Sequence, residues 1–388
     1  MRIGAAGLGR AFTLMAPTLA GDVRVKLVAA ADPRVEARAQ FSKDFGGRAY
    51  VTVQELCADS GVDVIYVATP HQFHAEHARL AFAAGKHALI EKPMALTLKE
   101  CRAMADGARK AKRYLIVGHS HSFDAPIRRT RELIASGKYG RLRMIAAMNF
   151  TDFLYRPRRP EELDSARGGG AVYNQAAHHV DIVRLLGGGR LKSVRAGTGA
   201  WDPARPTEGA YSALLTFEDG AFASITYSGY AHFDSDEFTG WIGEGGQRKD
   251  PAGYGNARKM LSGNEMQVKN ARNYGGPKYA EMRAQAPAAL LHQHFGVLIA
   301  SCERADLRPL PDGVWIYADG EKRLELLAAP KVQRAEVIDE LYAAVVEGKP
   351  PLHDGEWALA TTEACLAILQ SAKEQKEIAL TNQTGLRT

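Results

Sequence analysis

Cysteine is scarce in this chain of 388 residues. There are four, Cys57, Cys101, Cys302 and Cys365, with no C-x-x-C pair among them. That spacing excludes a zinc ribbon or a disulfide framework and fits a reducing compartment. Long apolar runs are also missing. Nothing approaches the ~18 consecutive apolar residues of a membrane helix, so no membrane partner is expected. The first residues, "MRIGAAGLGR", lack the basic, apolar and small-residue order of a leader and are expected to start a strand; the expected location is cytoplasmic. Neither sign of charge dominates. Lys+Arg minus Asp+Glu is 50 − 44 = +6, and the basic residues are spread along the chain without a nucleic-acid-binding motif. No nucleic-acid partner is expected, and a mild positive balance suits a small anionic ligand.

What is present is an alternation of strand and helix patterns over residues 1–120, which indicates a parallel α/β sheet. The strands are expected at "RIGAA" (2–6), "VKLVAAA" (25–31), "VDVIYVA" (62–68), "HALIE" (87–91) and "YLIVG" (114–118). The first runs into "GAAGLGRAF". Gly7 and Gly9, flanking Leu8 and followed by Arg10, match the first two glycines of G-x-G-x-x-G, where a tight turn and a helix N-terminus face a pyrophosphate. Phe12 stands at the third position, where a small residue is usual. The next strand ends at Asp32, placed to hold a ribose 2′-hydroxyl and so favouring NAD. Arg34, two residues on, could receive a 2′-phosphate, so NADP stays open. Pro17 is expected to kink or shorten the first helix. The third strand ends in Ala68-Thr69-Pro70, at the carboxyl edge where open α/β sheets bind ligands. His71, His74 and His77 drift around a helix at spacing three, so no metal is expected, and His74 is read as facing the cofactor.

From residue 121 the pattern changes to an amphipathic helix and longer, antiparallel strand patterns, with "FEDGAF" as a hairpin turn. The fold class expected is α/β: a Rossmann dinucleotide-binding domain over 1–120, then an α+β domain over 121–388 with a large, mostly antiparallel open sheet. Residues 240–295, rich in Gly, Lys and Asn, read as an insertion. "GEWALATTEACLAILQSAKEQ" is expected to be a helix returning to the first domain. Arg156, Arg158, Arg159 and Arg167 cluster before "GGGAVYNQAAHHVD". They are either a carboxylate-binding loop, centred on Arg156 and Arg159, or a solvated basic loop. Asn174 and His178 share a helical face.

"GLGR", "VIYVATPHQFHAEHA", "AGKHALIEKPMAL" and "GGGAVYNQAAHHVDIVRLLGG" together resemble the Gfo/Idh/MocA oxidoreductases, over nearly the whole chain. The resemblance implies a role for each part. Glu91, Lys92 and Pro93 match the family's E-K-P, whose lysine lies beside the nicotinamide. Such a lysine exchanges a proton with a substrate hydroxyl as hydride leaves the adjacent carbon. His178 takes the catalytic-histidine place, and Asn174 a substrate-polar place often held by Asp. Ser122 stands where an arginine is frequent, and His121 is read as the nearby residue that approaches the nicotinamide or the substrate. The open sheet implies a homo-oligomer, dimer or tetramer. The arginine loop and "NQAAHHVD" resemble the phthalate 4,5-cis-dihydrodiol dehydrogenase branch, which implies an anionic cyclic diol and NAD. Sugar or inositol dehydrogenases and NAD-retaining, redox-assisted glycosidases of the same superfamily are the alternatives, with a non-catalytic nicotinamide-binding regulator a third. The presence of both Lys92 and His178 argues against the last.

Overall fold

The computed structural model describes residues 1–259, 261, 263–281 and 291–386. Its first sheet is parallel and six-stranded: β1 (Arg2–Ala6), β2 (Lys26–Ala31), β3 (Arg48–Tyr50), β4 (Val64–Val67), β5 (His87–Ile90) and β6 (Leu115–Val117), in the order β3-β2-β1-β4-β5-β6. The order reverses between β1 and β4, which creates a crevice at the carboxyl ends of these two strands. β4 is buried at all four positions, as a central parallel strand with helices on both faces must be. Helices α1 (Arg10–Gly21), α2 (Val35–Phe45), α3 (Val53–Ala58), α4 (His74–Ala83) and α5 (Leu98–Ala111) connect the strands. α3 and α5 open with capping boxes, Thr52 with Glu55 and Thr97 with Glu100. α5 buries Cys101, Met104, Ala105 and Ala108, a one-sided stripe at helical spacing. α1 is not shortened at Pro17; it runs through it for 12 residues.

The second sheet has nine strands. After α6 (Ala125–Ala135) come β7 (Leu142–Phe150), α7 (Ala177–Leu186), β8 (Leu191–Gly199), β9 (Ala210–Phe217) and β10 (Phe222–Ser228), then β11 (Val297–Cys302), β12 (Ala305–Leu310), β13 (Gly313–Ala318), β14 (Glu321–Leu326) and β15 (Ile378–Ala379). The order is β14-β13-β12-β11-β7-β10-β9-β8-β15. β7 and β10 run parallel, and the other pairs are antiparallel. One face is core, with Ile145, Ala213, Leu215, Ala223 and Ile225 buried; the other leaves Met144, Leu214, Phe222 and Ile299 exposed. The period of two seen in the sequence thus separates a covered face from an open one. α7 is buried along its whole length.

The chain divides into two units: Met1–His119 with Asn264–Ala286 and Lys331–Thr362, and Ser120–Gly263 with Pro287–Pro330 and Glu363–Thr388. This differs from a single cut at 120/121, because two later stretches belong with the parallel sheet. Thr18 Oγ1 donates to the Gln333 carbonyl (2.6 Å), Val117 N–H to the His353 carbonyl (2.9 Å), and Tyr274 packs on α1. The helix Gly355–Glu374 crosses the division after Thr362. Of the expected 240–295 insertion, residues 260, 262 and 282–290 lie outside the described residues.

Candidate active site

In the first unit, the turn after β1 is shaped by two glycines with different reasons to be glycine. Gly7 has φ +88°, and a Cβ there would sit 2.9 Å from the Ala68 carbonyl oxygen and from Thr69 Cγ2. The turn therefore closes directly against the end of β4. Gly9 has φ −86° and would meet nothing within 4 Å. Its missing side chain leaves open space above the first turn of α1, which starts at Arg10 without a side-chain cap. Backbone N–H groups facing open space at a helix N-terminus fit a pyrophosphate. Asp32, buried at the end of β2, accepts from the Leu8 N–H (2.8 Å) and so fixes the turn from the adenosine side. Arg34 donates to both Asp32 oxygens (3.0 and 3.1 Å) and to the Leu8 carbonyl (2.8 Å). Gly7, Leu8, Gly9, Asp32, Arg34, Ala68 and Thr69 are thus brought together, with Arg10 exposed at the helix start and Pro70 closing the strand end. The residues fit a dinucleotide.

The same unit carries E-K-P. Glu91 does not form a surface ion pair at the strand end. It is buried and accepts from the Tyr66 hydroxyl at 2.6 Å. Burial raises its carboxyl above the ordinary range, against the pull of the Arg334 charge. Lys92 follows, partly exposed, and the Lys92–Pro93 peptide is cis. His74 lies behind them, fully buried, with Nδ1 3.0 Å from the Pro93 carbonyl and Nε2 2.9 Å from the Thr69 carbonyl. Its ring therefore braces the Thr69-Pro70 and Lys92-Pro93 turns against each other. This corrects the cofactor-facing reading of His74, because both nitrogens are directed at backbone.

In the second unit, the glycine run feeds a π-helical turn, Val172–Ala176, which continues into α7. Gly170 has φ +83°, and a Cβ on it would collide with the Glu208 carboxylate, which accepts from the Val172 N–H at 3.0 Å. Asn174 turns its amide back to the carbonyls of Gly168 (3.3 Å) and Gly170 (2.8 Å), stapling the start of the helix. His178 is buried on α7, its ring 4.8 Å from His121 and 4.9 Å from Phe295. Ser122 Oγ donates to Asp181 at 2.5 Å and ties the 121–123 turn to α7. His179, on a different side of α7, sits with Nδ1 2.8 Å from the Tyr211 hydroxyl; burial holds it down at about 3, so it is a neutral core ring.

His121 is the electrostatic centre of this cluster. Its Nδ1 lies 2.6 Å from Asp124 and its Nε2 3.3 Å from Glu244. Burial opposes the charged ring, but the two carboxylates prevail and raise it to about 9. Glu244 is opposed by its own burial as well, yet the His121 hydrogen bond and the charges of His121 and Arg156 bring it down to about 2. Arg156 extends the chain of charge, 3.9 Å from Glu244 and 2.9 Å from Asp152. Arg159 is not part of it: its Nε faces Glu161 (3.2 Å) and Glu162 (3.6 Å) of its own turn. Arg158 stacks on the Phe153 ring at 3.8 Å, and Arg167 is exposed. Glu244, Phe295 and Asp124 escaped the sequence reading. The first two lie in or beside a segment without periodicity, and are placed by His294, whose N–H donates to the Glu244 carbonyl (3.2 Å) and whose Nε2 contacts the Ile242 carbonyl (2.8 Å).

Both halves of the chain resemble known proteins. Residues 1–119 match the model of an oxidoreductase family with an NAD-binding Rossmann fold, and residues 127–247 match a GFO/IDH/MocA C-terminal domain. The chain is 49% identical over 381 residues to the 1-carboxy-3-chloro-3,4-dihydroxycyclohexa-1,5-diene dehydrogenase of Comamonas testosteroni, covering 97% of this chain and 96% of that one. A crystal structure from Bordetella bronchiseptica RB50, described as a dehydrogenase, superposes with a TM-score of 0.92 at 41% identity, covering 98% and 99% of the two chains. The WlbA dehydrogenase of Bordetella pertussis, solved with NADH and UDP-GlcNAcA, shares the fold at a TM-score of 0.67 and 23% identity, covering 98% of this chain and 99% of that one.

Proposed function

This chain belongs to the Gfo/Idh/MocA oxidoreductases, an NAD-binding dehydrogenase family, and from that premise we propose that it oxidises a ring-carboxylated dihydroxycyclohexadiene, of which phthalate 4,5-cis-dihydrodiol is one member. The observation that supports the substrate class is the 49% identity, end to end, with a dehydrogenase of a carboxylated ring diol. NAD, held by the Gly7–Arg10 turn and Asp32, supplies the acceptor for the hydride of the carbinol carbon. The protein's task is then proton transfer and orientation. Lys92, at the end of β5, takes the hydroxyl proton, while the Glu91 and His74 contacts fix the backbone on either side of it. His178 serves as the second proton-handling group. The Asn174 amide is held by backbone, so it shapes the helix start beside the substrate and does not act as a base. Arg156, partly exposed at the outer end of the charge chain, is the group for the substrate carboxylate. The ketone formed beside the ring double bonds would tautomerise to a catechol.

The exposed sheet face with Met144, Leu214, Phe222 and Ile299 is assigned to a second copy of the chain. The cytoplasmic reading rests on the four scattered cysteines, three of them buried, which suit a reducing compartment. Among the described residues no helix is long and apolar enough to cross a membrane.

The test is reduction of NAD followed by absorbance. Carboxylated cyclohexadiene diols are compared with uncarboxylated ring diols and with neutral inositols and sugars. Turnover confined to the carboxylated diols supports the proposal. Turnover of neutral polyols alone overturns the substrate class.

A further inference from the structure

The third position of the glycine motif holds Phe12, and the structure explains what its ring is for. Phe12 is fully buried and packs against Phe41 and Phe45 of α2, at 6.3 and 6.4 Å between ring centroids. A third aromatic partner comes from far along the chain: Tyr274 meets it edge-on at 4.9 Å, with the planes at 88°. Tyr274 is fully buried, and its hydroxyl donates to Asp44 on α2 at 2.7 Å. The next residue, Gly275, has φ +75°, and a Cβ on it would press on the backbone of Glu36 and Ala37. The stretch around Tyr274 is thus seated on α1 and α2, beside the adenosine end of the cradle.

Its backbone then reaches the cradle itself. The Tyr274 carbonyl accepts from Arg34 Nη1 at 3.2 Å. All three guanidinium nitrogens of Arg34 are therefore directed inward: Nε to Asp32, Nη2 to Asp32 and Leu8, Nη1 to Tyr274. Four of its five N–H groups are spent on these acceptors, so an arginine at this place can grip a ribose 2′-phosphate with more than one donor only if it leaves them. As it stands, it is an internal strut on Asp32, a carboxylate that accepts hydroxyls and repels phosphate.

We propose that the segment from Asn264 to Tyr279 is a brace that sets cofactor choice: by seating Tyr274 between Phe12 and Asp44 it holds Arg34 in the Asp32 carboxylate and makes the cradle selective for NAD over NADP. The proposal rests on the NAD-dependent reading above and narrows its cofactor. Phe12 is then the counterpart of Tyr274, which is why a large ring stands where the motif ordinarily has a small residue.

The experiment is direct titration of purified protein with NADH and with NADPH, followed by nucleotide fluorescence, so that binding is read without turnover. The wild type binds NADH at least roughly tenfold tighter than NADPH, the scale of a single charge-assisted hydrogen bond. Tyr274→Ala releases the brace, and NADPH tightens so that the preference falls by roughly the same tenfold. In Tyr274→Ala combined with Arg34→Ala that tightening disappears, because Arg34 is the group that moves. Should Tyr274→Ala not fold, as judged by circular dichroism, Asp44→Ala cuts the other end of the tie and is read the same way. An unchanged preference in the brace variants overturns the proposal, as does a tightening that survives loss of Arg34. A wild type that prefers NADPH yet oxidises the diol overturns the brace alone. A wild type that binds neither nucleotide overturns the proposed function with it.

Discussion

The ring of His121 stands 4.8 Å from that of His178, with the planes at 66°, and both rest on Phe295. The two histidines are not equivalent. His121 is pinned between Asp124 and Glu244 and is a cation at neutral pH. His178 thus stands beside a fixed positive charge.

Stability should depend on pH through His121. Its folded value, about 9, lies above the 6.5 of a free imidazole, so the folded state holds the proton more tightly. The contribution is complete below pH 6.5 and is lost as the pH rises through 9; by linkage it is on the order of 3 kcal/mol. Glu244 behaves in the opposite way. Its folded value, about 2, lies below 4.5, so its contribution is present above pH 4.5 and is lost as the pH falls through 2. Thermal melts of the wild type should decline between pH 6.5 and 9. Glu244→Gln should flatten that decline and move the His121 midpoint, followed by proton NMR, downward. A wild-type midpoint near 6.5 would falsify the ion-pair account.

Gly7→Ala and Gly9→Ala should fail in different ways. At Gly7 the new Cβ meets the Ala68 carbonyl at 2.9 Å in a left-handed conformation, so the fold should lose ~1–3 kcal/mol by denaturant titration. At Gly9 the backbone is ordinary and the space open, so the melting temperature should hold while NADH affinity drops, because the methyl enters the space left for the pyrophosphate. Equal melting temperatures for the two variants would refute the distinction.

Lys92→Ala and His178→Ala should each lower kcat by ~10²–10⁴, the usual worth of a proton-transfer group, with NADH binding within a few-fold of wild type. Fluorescence titration beside the turnover assay separates the two effects. Turnover near the wild-type rate in either variant removes that residue from the mechanism.

Arg156→Ala should raise the KM for a carboxylated diol by roughly 10–100-fold, the scale of losing a charge-assisted hydrogen bond. Arg159→Ala should change it little, because that guanidinium is occupied by Glu161 and Glu162. Initial-rate kinetics on both variants decide the matter, and a larger effect at Arg159 would reverse the assignment.

Much of the cofactor half was legible from sequence because it depends on local chemistry. Glycine at 7 and 9, an acid at the end of β2 and proline after β5 are each tied to one turn. The three-residue strand β3 was not legible, since Arg48–Tyr50 is too short to show a period. The arginine cluster shows the opposite difficulty. Arg156 and Arg159 look alike in sequence, and only the structure shows that the "PEEL" turn takes one of them while Glu244, some 90 residues away, takes the other. Glu244 and Tyr274 were invisible for one reason: they act through single long-range contacts from segments without periodicity. His74 misled because a histidine near a cofactor edge and a histidine bridging two backbone carbonyls look the same in a sequence.

The π-turn at Val172–Ala176 has a consequence for anyone aligning this chain with a relative that lacks it. An α-helix advances about 100° per residue, and a π-turn takes up one extra residue within a single turn, so the sequence numbering shifts by one while the faces stay aligned. Deleting that residue and closing the turn to an ordinary α-turn would keep α7 in phase with the glycine run, whereas closing it without a deletion would rotate α7 by about that angle and carry His178 away from the His121–Phe295 corner. An alignment that omits a gap at this point will therefore pair the wrong one of two adjacent histidines with its counterpart.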